Sequence, residues 1–401
     1  MAAGLSGKQF VIDYLNQLKL KPSKNFRQFW NDLEYQHGRR AIAPLKEAMS
    51  QRNPGATTND IYVLKNQNLK LSLDFAKYSA DLYRRFFDWL VARPHPQAGR
   101  LLDVGCDNGI VTCFIASLFP ESEVVGVDIE PRAVACAEEL ANRLGLTNVR
   151  FFQSDVRQLD TLLDARSFDR ILSVRSFHEM LGEVSEPPRH WSTQELLGRS
   201  VEAGHLHLLR MMRNLLRDEA AELITFERLP WLASAAMWAD ELKQAGLFVD
   251  WAQAEFIAFQ EVGENQEMPV FVCRTTPSDC AILEGVYRLY GAGSAAALMA
   301  GAEYEDAEAE ALFYRIESKQ FLSGIQIDFP EDTQMRYELW QTESSPVLYQ
   351  YTNVGNRKLN VLSVGDLETA MRDFEVTLPA HYQNQGFKVK TYHEQVQRGE
   401  K

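Results

Sequence analysis

The sequence predicts an α/β fold built on a mostly parallel sheet, with helices before it and a smaller α+β unit after it. Three observations carry this. From residue 100 onward, short apolar runs alternate with helical patterns, the arrangement that packs helices on a parallel sheet. The first run, Leu101-Leu102-Asp103-Val104, enters a glycine-bounded turn, Gly105-Cys106-Asp107-Asn108-Gly109. A second run, Val124-Val125-Gly126-Val127, ends on Asp128, 19 residues after Gly109. Strand, glycine turn, helix, strand and acid form the layout of a nucleotide-type cofactor site. The glycines let the backbone approach a ligand, and the carboxylate accepts hydrogen bonds from ribose hydroxyls.

Residues 1–97 read as a helical cap. Phe10, Val11, Tyr14, Leu15 and Leu18 recur at helical spacing, as do Phe75, Tyr78, Leu82, Phe86, Trp89 and Leu90 in one last helix. Stripes this regular are read as core rather than as pocket walls. Pro94 and Pro96 stop the last helix, and Gly99 precedes the first strand.

Residues 98–276 carry the main sheet. Strands are expected at 100–104, 124–128, 149–153, 168–174 and 222–227, with the first crossover helix starting over 111–119. Pro131 suits the first turn of the next helix, where its missing N–H costs nothing. A helix around 238–245 leads to Gly246, and two further strands near 255–259 and 270–274 are joined by a short polar loop, so they run antiparallel. Residues 277–401 differ in kind. A small-residue and acidic stretch at 291–310 is followed by a helix over 311–318. Strands are expected at 325–329, 335–340, 347–351 and 359–364, then a helix over 367–378: an α+β accessory domain.

The chain of 401 residues has a net charge of −13, distributed as roughly +7, −12 and −8 over the three segments. An acidic body argues against a broad nucleic-acid surface. Cys106, Cys113, Cys136, Cys273 and Cys280 are odd in number and hold no C-x-x-C pair, so they read as buried thiols rather than as disulfides or a zinc site. His205 and His207 are two residues apart and do not share a helix face, so no metal is expected. With no long apolar run and no charged-then-apolar leader pattern, no membrane partner is expected and the cytoplasm is the expected compartment.

The turn narrows the cofactor. A dinucleotide fingerprint places its pyrophosphate against a second glycine, but that position is Asp107 here and the third glycine is absent. A carboxylate repels pyrophosphate, whereas the cationic sulfonium and ammonium of S-adenosylmethionine suit acidic neighbours. The segment resembles motif I of the class I S-adenosylmethionine-dependent methyltransferases, an acid followed by x-G-x-G-x-G. Asp103, Gly105 and Gly109 match, and Asp107 departs at the middle glycine.

The resemblance covers the middle segment and implies a mostly parallel, seven-stranded Rossmann-like methyltransferase sheet closed by an antiparallel hairpin. It also implies S-adenosyl-L-methionine as cofactor. Asp103, Gly105, Cys106, Asp107 and Gly109 would lie along its methionine part, Asp128 and Ile129 at the ribose and adenine, Asp155 and Val156 at the adenine edge, and Ser173 near the transferring methyl group.

The carboxyl end of the fourth strand leads into Arg175-Ser176-Phe177-His178-Glu179, where ligands bind in such sheets. His178 is a candidate base, since imidazole titrates near neutrality, and Glu179 is the alternate. The bland alternative has His178 only packing beside the cofactor and ordering the loop. Glu227 ends the fifth strand and is either a substrate-gripping group or a solvated strand end. Asp128 and Asp155 have structural alternatives as helix-starting acids. Trp191, Trp231 and Trp238 fall where substrate-covering insertions belong, but each reads more readily as core than as pocket lining.

No Asp/Asn-Pro-Pro-Tyr or Pro-Cys follows the fourth strand, which argues against exocyclic-amine and cytosine-C5 methylation. The expectation is methyl transfer to an O, N or C atom of a small molecule, with secondary metabolism as one setting. The alternatives are an RNA or protein or peptide acceptor, or a catalytically silent cofactor-binding partner module. The flanking segments could also support a homo-oligomer.

Overall fold

Runs buried on both faces, β1 (Arg100–Val104), β2 (Glu123–Asp128), β4 (Arg170–Val174) and β5 (Glu222–Phe226), form the parallel part of the first sheet with a half-exposed edge strand, β3 (Val149–Gln153). Then follow β6 (Phe248–Val249), β7 (Glu255–Glu261) and β8 (Glu264–Arg274). The computed structural model describes residues 7–51, 59–93, 99–181, 188–292, 298–363, 365 and 367–393. Strand order is β3-β2-β1-β4-β5-β8-β6, with β7 also on β8. β1 to β5 pair in parallel, while β8 pairs antiparallel with β5, β6 and β7. The order reverses between β1 and β4, so the turn after β1 and the loop after β4 open side by side at the carboxyl edge.

Eight strands form where seven were expected. β6 and β7 both pair with β8, β6 at Cys273 and Arg274 and β7 from Glu264 to Val270. Two residues after a left-handed Gly246 are too few for periodicity to reveal β6. The hairpin also runs further than its apolar pattern suggests. The polar residues 264–267 are strand, and the turn is Val262-Gly263, both with positive φ, as a two-residue hairpin turn requires.

The N-terminal helices pack in the same compact unit, which comprises residues 1–185, 201–229 and 241–278. The expected last helix is interrupted: Leu69–Ala76 passes through a 3₁₀ turn at Lys77–Ser79 into Ala80–Val91. Its stripe is core over most of its length. Phe86 stacks on Phe226 at 5.2 Å between ring centroids, and Phe87 stacks on Phe114 at 3.8 Å. Tyr14, on the helix Gly7–Gln17, buries its ring and donates its hydroxyl to the Ile110 carbonyl (2.7 Å). Pro94 and Pro96 lie outside the described residues. Pro131 begins the helix Pro131–Leu144, which Gly145 ends in the left-handed conformation. Cys106, Cys113, Cys136 and Cys273 are buried thiols and Cys280 is half-buried, and none of the five is in a disulfide.

The second unit comprises residues 186–200, 230–240 and 279–401, so Trp191, Trp231 and Trp238 fold with it. Its antiparallel sheet contains β9 (Glu303–Glu305), β10 (Lys319–Asp328), β11 (Gln334–Thr342), β12 (Pro346–Thr352), β13 (Arg357–Val361) and β14 (Lys388–Tyr392), in the order β14-β10-β11-β12-β13-β9. The edge strands β9 and β14 were not expected. The helix Asp306–Arg315 starts before the expected 311 and stacks Phe313 on Tyr349 (4.0 Å). Phe374 joins a separate cluster with Ile325, Ile327 and Tyr337. Trp191 lies under the Arg336 guanidinium at 3.8 Å. Part of the acidic stretch, residues 293–297, lies outside the described residues. Among the described residues, no helix is long and apolar enough to cross a membrane.

Glu222 anchors the amino edge of the first sheet. It is 5% exposed and faces three guanidiniums: Arg170 (2.5 Å), Arg274 (3.2 Å) and Arg93 (3.6 Å), the last from the end of the helical cap. Removing its charge leaves arginines without their counterion. Glu222→Gln is therefore expected to lower unfolding stability by roughly 3 kcal/mol. A chemical-denaturation midpoint unchanged from wild type would contradict this role.

Candidate functional site

β1 leaves the sheet at Gly105, with φ +72, and a Cβ there would lie 2.5 Å from Cβ of Ser176. Gly109, with φ +77, begins the next helix, and its Cβ would lie 2.7 Å from that of Ala137. Neither position has room for a side chain. Between them Asp107 is also left-handed, at φ 48, without glycine's freedom. Hydrogen bonds hold it there. Its N–H donates to Oδ2 of Asp128 (2.8 Å), and Oδ1 of Asp128 accepts the N–H of Glu130 (2.9 Å).

The Asp107 carboxylate accepts from Nζ of Lys65 (2.5 Å) and Nδ2 of Asn66 (2.8 Å). A buried chain extends behind it: Asn108 Nδ2 donates to Ser72 Oγ (2.7 Å), which donates to Asn66 Oδ1 (2.5 Å). The acid read from sequence as a neighbour of the cofactor's cationic end is thus paired with a lysine of the cap. Cys106 is buried beside it, and its N–H donates to the Val127 carbonyl (3.0 Å).

Two more acids lie at this edge. Asp103 is 2% exposed and accepts from Oγ1 of Thr112 (2.6 Å); burial pushes its carboxyl up to about 7. Asp128 is raised to about 6, by burial and then by the Asp107 charge. Next to it Ile129 is 57% exposed, an apolar side chain held open at a strand end. Asp155 starts the 3₁₀ turn Val156–Thr161 by accepting the Arg157 N–H (2.9 Å), and the Arg157 guanidinium grips it (2.6 Å) and holds its carboxyl low. The helix-starting role foreseen for Asp155 is therefore occupied. Val156 is buried at the same place.

The loop after β4 is organised by Glu227, which is 2% exposed. One carboxylate oxygen accepts from Ser173 Oγ (2.7 Å) and from the N–H groups of Ser176 (3.2 Å) and Phe177 (3.1 Å). The other faces Nδ1 of His178 at 2.9 Å. A carboxylate on Nδ1 favours the proton there and leaves Nε2 as the acceptor. Nε2 lies 3.7 Å from Oε1 of Glu179, which also accepts the hydroxyl of Tyr62 (3.0 Å). Ser173 Oγ and Ser176 Oγ are 2.7 Å apart, and Ser176 also bonds the Val104 carbonyl. His178, Glu179 and Glu227 are thus one connected cluster. His205 lies elsewhere, near Glu202 and Glu241. Among the described residues, no group of three metal-ligating side chains converges.

Tyr62, Lys65, Asn66, Ser79, Arg175 and Glu261 were not singled out individually from the sequence. Tyr62 and Lys65 are three apart on the helix Asn59–Lys65 and share a face, which is a local signal. Their partners Glu179 and Asp107 are 117 and 42 residues away, beyond any local pattern.

The arrangement fits a nucleoside with a cationic tail. Two side-chain-free turn positions allow close approach, Asp128 and Ile129 present a polar and an apolar surface together, and the buried acids are relieved by a nearby cation.

Residues 96–190 match a family model described as a methyltransferase domain, a span containing the glycine turn, Asp128, Asp155 and the loop through Glu179. An uncharacterized protein, YbxB, of Bacillus subtilis is 32% identical over 96 residues, 23% of this chain and 47% of that protein. A secondary metabolism regulator, laeA, of Aspergillus fumisynnematus is 42% identical over 57 residues, 13% of this chain and 15% of that protein. The chain spans less than half the length of these relatives. Among solved structures, magnesium protoporphyrin IX methyltransferase (ChlM) from Synechocystis PCC 6803 is 15% identical, covering 69% of this chain and all of that one, with a TM-score of 0.33.

The raised Asp103 carboxyl has a consequence for stability. Its folded value, about 7, lies above its unfolded value, so its contribution is present at low pH and is lost as pH rises through 7. Asp103→Asn removes that titration. Its melting temperature relative to wild type should therefore climb between pH 5 and 8, measured by calorimetry without ligand. Parallel pH profiles would refute it.

Proposed function

We propose that this chain, whose residues 96–190 match a methyltransferase-domain model, is a class I S-adenosylmethionine-dependent methyltransferase that methylates an oxygen, nitrogen or carbon of a small molecule. The observation that carries this reading is the position of the His178–Glu227 pair beside the glycine turn: Ser176, two residues before His178, fills the space where a Gly105 side chain would be. When bound, S-adenosylmethionine supplies an electrophilic methyl group on a sulfonium. Gly105 and Gly109 would let the backbone approach its methionine part, Asp103 would hold its ammonium, Asp128 would accept from its ribose hydroxyls, and Ile129 with Val156 would cover its adenine.

His178 holds the chemical role. Its Nε2, left as the acceptor by Glu227 on Nδ1, would take the proton from the substrate's reacting group as the methyl group is transferred. Glu227 keeps the ring oriented and stabilises the resulting cation. Glu179 and Tyr62 lie on the far side of that nitrogen. The small acceptor is favoured because the cap contacts the site directly, through Tyr62 on Glu179 and Lys65 on Asp107, in a chain of net charge −13. In this reading residues 1–97 act as the cap, 98–276 as the methyl-transfer domain and 277–401 as an accessory domain.

Calorimetric titration with S-adenosylhomocysteine tests the cofactor assignment. Asp128→Ala should weaken binding at least roughly tenfold through lost charged hydrogen bonds. His178→Ala should bind normally, yet lose on the order of 10²-fold or more in methyl transfer from S-adenosylmethionine. Equal turnover by His178→Ala would leave that residue only a packing role. Affinity for the cationic cofactor should rise from pH 5 to 8 as Asp128 and Asp103 ionise, with folded values of about 6 and about 7. A flat pH profile would remove these acids from the site.

A further inference from the structure

Arg175 sits at φ 57 in the loop after β4, with its side chain 18% exposed. A non-glycine residue in this conformation is held by its surroundings. Its N–H donates to the Phe226 carbonyl (2.9 Å), and its Nη1 donates to Glu261 and to Ser79 Oγ (3.3 Å). Glu261 also accepts from Ser79 (2.6 Å) and Arg228 (3.4 Å). Two guanidiniums therefore share one carboxylate.

The opposite edge of Arg175, Nε–H and Nη2–H, has no protein partner among the described residues and is not sealed from solvent. Three phenols of the cap, Tyr62, Tyr78 and Tyr83, lie within electrostatic reach of this guanidinium. The Tyr83 hydroxyl is likewise without a partner among the described residues and is unsealed, and Asp107 and Asp103 are also within its reach. The guanidinium therefore lies near the phenols of the cap.

We propose that Arg175, with the Tyr83 hydroxyl beside it, is the binding clamp for a carboxylate, so that the methyl acceptor is a small carboxylic acid bearing a second, reacting hydroxyl or amine. This rests on the methyltransferase reading of the same site. The Nε–H and Nη2–H edge of a guanidinium presents two parallel donors whose spacing matches the two oxygens of a carboxylate. A dianionic phosphate fits less well, because Glu261 lies against the clamp and one guanidinium edge cannot offset two charges beside it. Ser79 and Glu261 are positioning residues that fix the fork. With the carboxylate held by Arg175, the acceptor's other end extends toward His178, three residues further along the same loop.

The test uses the full chain saturated with S-adenosylhomocysteine, titrated with 4-hydroxybenzoate, 3-hydroxypropanoate, their primary amides and inorganic phosphate. At least one carboxylate should bind saturably at millimolar concentration, its amide roughly 10- to 100-fold more weakly, and phosphate no better than the amide. Arg175→Lys keeps a cation against Glu261 and so protects the fold, but removes the fork. It should lose the same factor for the carboxylate with S-adenosylhomocysteine affinity unchanged. Tyr83→Phe should weaken the carboxylate severalfold. The proposal is overturned if no carboxylate saturates, if amide and acid bind alike, if phosphate binds better, or if Arg175→Lys discriminates like wild type. Failure of S-adenosylhomocysteine to bind the wild-type chain would instead bring down the methyltransferase reading beneath it.

Discussion

Asp107 is the joint on which the site depends. Its backbone N–H is fixed by Asp128, the acid one strand away, and its carboxylate is fixed by Lys65 and Asn66 of the helical cap. Held left-handed between two glycines that cannot carry side chains, it connects the turn, the second strand and the cap in one residue. A glycine here would leave Lys65, whose side chain is 11% exposed, without this counterion. The departure from the familiar turn pattern is therefore a packing solution. It explains how an acid can occupy a position where backbone approach is needed.

A second constraint is the number of carboxylates at the carboxyl edge. Asp103, Asp128, Glu227 and Glu261 are each largely removed from water, and each is tolerated in a different way. Asp103 has one hydroxyl donor and remains strongly raised. Asp128 has two backbone donors and is raised less. Glu227 collects a hydroxyl, two backbone N–H groups and an imidazole, while Glu261 takes two guanidiniums and a hydroxyl. The glycine-turn side is thus poised for a positive ligand, while the loop after β4 presents the guanidinium of Arg175 against Glu261.

Much of the fold was legible because its signals are imposed by neighbours in sequence. Gly105 and Gly109 mark a tight turn, Pro131 marks a helix start, and Asp128 and Asp155 mark strand ends, each through its own backbone. The parallel pairing of β1 to β5 follows from the same alternation, whereas their spatial order does not. What escaped was either too short or too distant. β6 has two residues and β9 three, below any period. The 3₁₀ break at Lys77–Ser79 is invisible in a stripe whose apolar spacing continues through it. Within the site, His178, Glu179 and Glu227 could be nominated by strand position, but not the bond between His178 and Glu227, which are 49 residues apart. Ser79 and Glu261 are 182 residues apart, and neither carries a local mark of their pairing.

The central claim is that S-adenosylmethionine occupies the turn between β1 and its helix under the N-terminal cap. Amide hydrogen exchange on the full chain, with and without S-adenosylhomocysteine, tests it most directly. The account predicts protection concentrated in residues 105–109, 128–130 and 155–157, with further protection in 62–66 as the cap tightens on Asp107. Protection absent from the turn, or confined to residues 279–393, would contradict it.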